Sequence, residues 1–424
     1  MDGDALTASR APGGQAAAPQ KQAAERRAAQ IARDRKRDPR LDFFRGLGMF
    51  IILTAHIGPW NPWILWIPAR FGWSDATEIF VFCSGAASAI AFAKVFNERG
   101  WWIGASRVAY RIWQIYWCHV AVFIAVTASL VWVDANFDDL QRSYAGLLNL
   151  GPFLNDPGPQ LIGLLTLTYV PNYFDILVMY IVVLALMPVV MGLSWIRPWI
   201  AMTFCVALWA LTSQPWLALI DVPVLEVFNL PAEPWSERTW FFNPFAWQLV
   251  FFTGFAFSLG WLPRPPVNRL LIGAALAVVL ITIPFAWHKI FPHYGWIKEF
   301  RAETAALHSK TFFGLFRYVH FLALAYLAWV AAGENGARLP RSGLGGRFVT
   351  VVRRVGQQSL AVFIFSLVIA RLIGAWFYEA ARPIEGVPQD YSALIVAAGN
   401  VGGYLLLIGV AYGARYFRNP PWKA

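Results

Sequence analysis

Charge is scarce in this sequence: Asp, Glu, Lys and Arg make up 14% of its 424 residues, where a soluble domain carries about a quarter. An ordinary water-soluble domain is thereby excluded. Cysteine is nearly absent, with three residues (Cys83, Cys118 and Cys205), all in hydrophobic runs. Neither a disulfide framework nor a spaced metal-binding quartet is available, and the three read as small apolar packers, a reactive Cys83 or Cys118 being the minor alternative. The sequence holds no Gly-x-Ser-x-Gly elbow and no His-Glu-x-x-His, which removes serine-hydrolase and zincin chemistry. Residues 1–40 lack the short apolar core and small-residue cleavage site of a signal peptide.

What is abundant is apolar surface. Hydrophobic residues make up 58% of the chain, and 22 are tryptophan, the residue that collects where bilayer meets water. Ten runs, each near the roughly 20 residues needed to cross hydrocarbon, lie at 43–62, 75–96, 109–133, 173–194, 197–219, 245–262, 270–288, 313–332, 357–378 and 391–413. The expected fold is all-α, a polytopic transmembrane bundle of about ten helices. The net charge of +11 points to no nucleic acid, because Lys and Arg cluster in alternate connections, as the positive-inside rule arranges them. That alternation predicts cytoplasmic N- and C-termini. Residues 1–40 read as a disordered basic tail, or as a basic helix lying on anionic headgroups. Residues 41–415 form the membrane domain and 416–424 a short cytoplasmic tail. Long outward connections at 134–172, 221–243 and 288–311 are placed to shape a mouth over the bundle. No internal repeat is evident.

Ionisable and amide groups at membrane depth are costly and mark cavities or partners. Arg45 and His56, both in LDFFRGLGMFIILTAH, lie about 16 Å apart along a helix, with Arg45 at the cytoplasmic surface and His56 near or beyond the midplane. A tight hairpin would bring Glu78 to the depth of His56, where a carboxylate fixes an imidazole's tautomer. Asp175, Asn243, Gln248, Arg317, His320 and Arg371 fall in the outer halves of their helices, and Arg317 and His320, three apart, share a face. Residues 84–89 offer a small-residue surface for a close helix neighbour. Each candidate has a plainer reading. Arg45 serves as a positive-inside anchor, His56 as a core histidine on a carbonyl, and Asp75 and Glu78 as helix caps. Arg317 and Arg371 serve as snorkelling anchors, and Asp175, Asn243 and Gln248 as interhelical hydrogen-bonding groups. Their shared outward bias favours a water-filled cavity opening away from the cytoplasm.

Arg45, ten residues, then His56 resembles the signature of the acyltransferase-three superfamily. The blocks RDPRLDFFRGLGMFIILTAH, SDATEIFVFCSGAASAIAF, PNYFDILVMYIVVLALMP and FNPFAWQLVFFTGFAFSLG together resemble the OpgC family, associated with succinylation of periplasmic glucans. The resemblance implies a multi-pass protein of the bacterial inner membrane. It implies an acyl-CoA donor, succinyl-CoA above all, as substrate rather than resident cofactor, and a periplasmic glucan or other glycan as acceptor. It further implies His56 as the catalytic residue and Arg45 as a partner for the donor's phosphates. Glu78 is added as a catalytic partner. Asp42, Arg317, His320, Arg371, Asp175, Asn243 and Gln248 are added as donor- or substrate-binding candidates. No metal ligand is assigned. General-base catalysis and an acyl-histidine intermediate both stay open, as does the oligomeric state. The competing expectation is a transporter or flippase of an anionic solute or glycan precursor, with a scaffold lacking chemistry ranking last.

Overall fold

The computed structural model describes residues 38–58, 61–136, 143–212, 226–380 and 389–418. Residues 1–37, 59–60, 137–142, 213–225, 381–388 and 419–424 lie outside this set. The described residues are helical throughout, apart from short connections and one isolated antiparallel bridge between Pro231 and Thr239.

The principal helices are α1 (Pro39–Ile57), α2 (Ala76–Ser88), α3 (Trp101–Asn136), α4 (Asp175–Ala185), α5 (Met187–Ile196), α6 (Pro198–Thr212), α7 (Pro244–Leu259), α8 (Arg269–Ala286), α9 (Leu315–Ala332), α10 (Gly343–Gln357), α11 (Ser359–Ala380) and α12 (Gln389–Arg418). Each of the ten apolar runs is helical over most of its described residues. Among the described residues, seven helical stretches are long and apolar enough to cross a membrane, and α6 and α7 are shorter apolar helices.

Local chemistry sets the ends. Asp38 caps α1 by accepting from the Arg40 amide, with Pro39 at the first helical position, where its missing N–H costs nothing. The helix thus begins at Pro39. Asp75 and Glu78 form a reciprocal capping box at the start of α2. A π turn, Ala89–Ala93, joins α2 to Lys94–Arg99. Pro188 follows the break at Leu186 between α4 and α5, because proline cannot donate to the preceding turn.

Helix α7 is apolar all round and lies at the centre, with Trp247, Phe251, Phe252 and Phe255 fully buried, as such a helix must. It meets α2 through a reciprocal seam of glycines. A Cβ on Gly85 would stand 1.8 Å from the Phe251 carbonyl oxygen, and one on Gly254 would stand 2.2 Å from that of Phe82. Only glycine permits backbones to approach so closely. The small-residue surface expected at 84–89 is this seam. Helix α8 is peripheral by contrast, burying only Ala275 and Thr282. It joins α3, α6 and α12 in leaving large apolar side chains such as Leu280, Trp113, Val206 and Leu405 exposed. A continuous outer surface of this kind belongs against lipid.

Candidate active site

The last turn of α1 carries His56. Its imidazole meets the Tyr173 ring edge to face, centroids 4.9 Å apart, and the Arg371 guanidinium lies 4.0 Å from the centroid of the same Tyr173 ring. Nδ1 of His56 and Nε of Arg371 are buried without hydrogen-bond partners. The hydroxyl of Tyr173 donates to the Leu367 carbonyl at 2.8 Å, one turn before Arg371 on α11. A Cβ on Gly374 would come within 2.1 Å of the Ile57 carbonyl oxygen, so glycine lets α11 press against the end of α1 that carries the histidine.

Tyr173 is held from the loops as well. Val170 donates to Ala232 at 2.8 Å, and Arg238 reaches the Val170 carbonyl at 2.7 Å and Glu233 at 3.0 Å. Asn149 also donates to Glu233, at 2.6 Å. Burial pushes the Glu233 carboxyl up, but hydrogen bonds from Arg238, Ser236 and Asn149 outweigh it and hold the carboxyl below its ordinary value. The connections before α4 and before α7 are thereby tied together beside the histidine.

A second cluster surrounds the start of α2. Arg317 donates to Glu78 from Nε at 2.8 Å and from Nη2 at 2.5 Å, and approaches Asp75 at 3.4 Å. Lys310 completes it with a 2.6 Å bond to Asp75. The other Glu78 oxygen accepts from the Asp75 amide at 2.8 Å. The expected hydrogen bond between Glu78 and His56 does not form. Burial leaves Glu78 with 0% exposure, and a carboxylate so placed takes the nearest full countercharge, which is Arg317. Lys310, Asp75 and Arg371 are the charges that act electrostatically on His56. Burial pushes the Asp75 carboxyl up, but Lys310 and Arg317 overcome that and hold it well below the usual range.

Arg317 and His320 do face the same neighbour, residues 74–78. Nδ1 of His320 accepts from the Ser74 amide at 3.2 Å and meets the Ser74 hydroxyl at 2.7 Å. A Cβ on Gly72 would overlap Nε2 of His320, so this ring is closed off by backbone.

The remaining candidates hold the frame. Asp175 accepts from the Phe241 amide at 2.8 Å, and Asn243 caps α7 while donating to Phe228. Gln248 donates to Cys205 at 2.7 Å, joining α7 to α6. Asp42 accepts from Gln357 at 3.2 Å. Arg45 is covered by protein: it is 5% exposed and donates to the Cys83 carbonyl, while its Nε has no partner. The cause is α10, an amphipathic helix that lies across the first half of α1. A Cβ on Gly46 would meet the Val352 carbonyl oxygen at 2.0 Å, and one on Gly356 that of Asp42 at 1.9 Å. Near the start of α1, a cleft of about 310 Å³ is lined by Arg40, Arg264, Arg338 and Glu334 with Trp329; Arg40 is paired with Asp38, and the excess of arginine over carboxylate favours anions. Among the described residues, no three His, Cys, Asp or Glu side chains converge as metal ligands.

Tyr173 and Lys310 were absent from the residues expected on sequence. Tyr173 adopts φ 89°, a left-handed conformation rare for an aromatic residue and frequent at functional sites. No sequence pattern announces it.

Among curated proteins and solved structures, none matches the chain. The family model described as OpgC protein matches residues 37–419, nearly its whole length. That match and the apolar helical bundle fit a membrane acyltransferase. The chain belongs to the OpgC protein family.

Proposed function

We propose that this protein is an O-acyltransferase of the bacterial inner membrane that moves an acyl group, succinyl above all, from acyl-CoA to a hydroxyl of a periplasmic glucan or related glycan. In this reading all ten long apolar segments cross the membrane and both termini are cytoplasmic. Helix α1 then runs outward, with Arg45 towards the donor side and His56 towards the acceptor side. The arginine-lined cleft near Arg40 suits the approach of a phosphate-bearing donor.

The observation that carries the reading is His56 itself: an imidazole at the outer end of its helix, with Nδ1 unpartnered and no carboxylate bound to it. That nitrogen is open to hydrogen-bond an acceptor hydroxyl and to draw its proton as the new bond to carbon forms. The acceptor hydroxyl oxygen attacks the thioester carbonyl, the C–O bond forms and His56 accepts the hydroxyl proton. The C–S bond then breaks, and the proton passes from His56 to the departing thiolate. Arg45, buried and tied to the Cys83 carbonyl, supports the donor side from within the helix packing rather than from the surface.

The test uses purified protein in liposomes supplied with succinyl-CoA and a periplasmic-type glucan, following free thiol and glucan mass together. Wild type releases thiol and yields succinylated glucan. His56→Ala inserts normally and loses transfer by about two to four orders of magnitude, the usual contribution of a general base. Full transfer by that variant would overturn the role of His56.

A further inference from the structure

Arg371 and Tyr173 have no part in the proton transfer just described, yet both stand beside His56. A guanidinium within a membrane helix requires compensation. Arg317 obtains it from Glu78 and Asp75. Arg371 does not: among the described residues no carboxylate meets it, its Nε is buried without a partner, and the contact it makes is with the face of Tyr173. A cation–π contact offsets only part of the cost of desolvating the charge. Among the described residues one positive charge is thus left over at the site.

Its position is built rather than incidental. Tyr173 keeps a left-handed backbone conformation that a bulky residue adopts only when its surroundings enforce it. Those surroundings are the bond from its hydroxyl to Leu367, on the helix that carries Arg371, and the loop anchored by Val170 and Arg238. One ring therefore sets both the guanidinium and the imidazole. Arg371 and His56 thus approach one and the same ring, so an anion held by the first stands beside a group served by the second.

We propose that Arg371, positioned by Tyr173, is the residue that binds the carboxylate at the far end of the succinyl group put forward above, and so carries the donor preference of that reading. This rests on the acyltransferase reading and adds the residue that reads the acyl group. Arg317, the other candidate for that task, is already committed to Glu78.

Succinyl-CoA and butyryl-CoA have the same four-carbon length and differ in the terminal carboxylate, so the test compares them. Binding affinity and the KM for thiol release are measured with the full chain in lipid nanodiscs, for wild type, Arg371→Gln, Arg371→Lys, Tyr173→Phe and Tyr173→Leu. Thermal melts establish that each variant is folded. Wild type prefers succinyl-CoA by about tenfold or more, the range of one charge-assisted hydrogen-bonded pair. Arg371→Gln removes the preference, and Arg371→Lys keeps part of it. Tyr173→Phe, which keeps the ring but loses the bond to Leu367, weakens it in part, whereas Tyr173→Leu weakens it most. An unchanged preference in Arg371→Gln overturns the inference, as does equal loss of both donors or a wild type that binds neither. Carboxylate-selective binding without transfer to glucan would overturn the acyltransferase reading and leave Arg371 as the anion site. Transfer of both donors alike would do the reverse.

Discussion

Glu78 is the most completely enclosed of the charged candidates, with 0% exposure, and its carboxylate survives there because Arg317 donates to it twice. Removing one member of a buried pair strands the other, at a cost of roughly 3–5 kcal/mol. Arg317→Gln is therefore expected to lower the melting temperature sharply in detergent. The paired change Glu78→Gln with Arg317→Met should recover most of the loss, because no lone charge remains. A double variant as unstable as the single one would argue that the pair holds more than its own charge. Asp75 adds an acid dependence. Its folded pKa is depressed, since Lys310 and Arg317 outweigh burial, so its contribution is present above the unfolded value of about 4. That contribution is lost as pH falls below it. Melting temperature measured through the acid range should decline less in Lys310→Met, where part of this linkage is gone.

At the scale of elements, the glycine seams decide which helices meet. Gly85 and Gly254 bring α2 and α7 into backbone contact, and Gly46 and Gly356 do the same for α1 and α10. Substituting Gly254 by Val places side-chain atoms where the Phe82 carbonyl stands. Overpacking of this kind costs about 1–3 kcal/mol or more, here with a rigid backbone as the obstacle. Yield of folded protein and melting temperature should both fall. Gly273 on α8 has open space where a Cβ would go, so Gly273→Ala is expected to be neutral or stabilising by up to about 1 kcal/mol. Equal effects of the two changes would mean that the seam is not decisive. The small-residue surface at 84–89 was readable as a place of close approach, but its partner was not. Several other helices are equally apolar, and periodicity does not say which of them supplies the matching glycine.

For the whole molecule, the distribution of Lys and Arg sets an expectation that geometry alone does not supply. With ten crossings, reporters fused to the two termini both read as cytoplasmic. A reporter placed at Trp235, in the connection before α7, reads as outside. Opposite readings at the two termini would require an odd number of crossings. They would also detach the outward direction of α1 from the proposed meeting of donor and acceptor at His56.

The sequence by itself determined that this is a helical membrane protein of the OpgC kind, since apolar run length and the four ordered blocks carry that information along the chain. It also singled out Arg45, His56, Glu78, Arg317 and Arg371, because charge at membrane depth is expensive wherever it occurs. It did not determine who meets whom. That Glu78 belongs to Arg317 and not to His56, that α10 covers Arg45, and that Tyr173 stands beside both His56 and Arg371 were decided by tertiary structure alone. Such pairings depend on the approach of helices far apart in the chain, and on a left-handed tyrosine that its own sequence disfavours and its surroundings enforce.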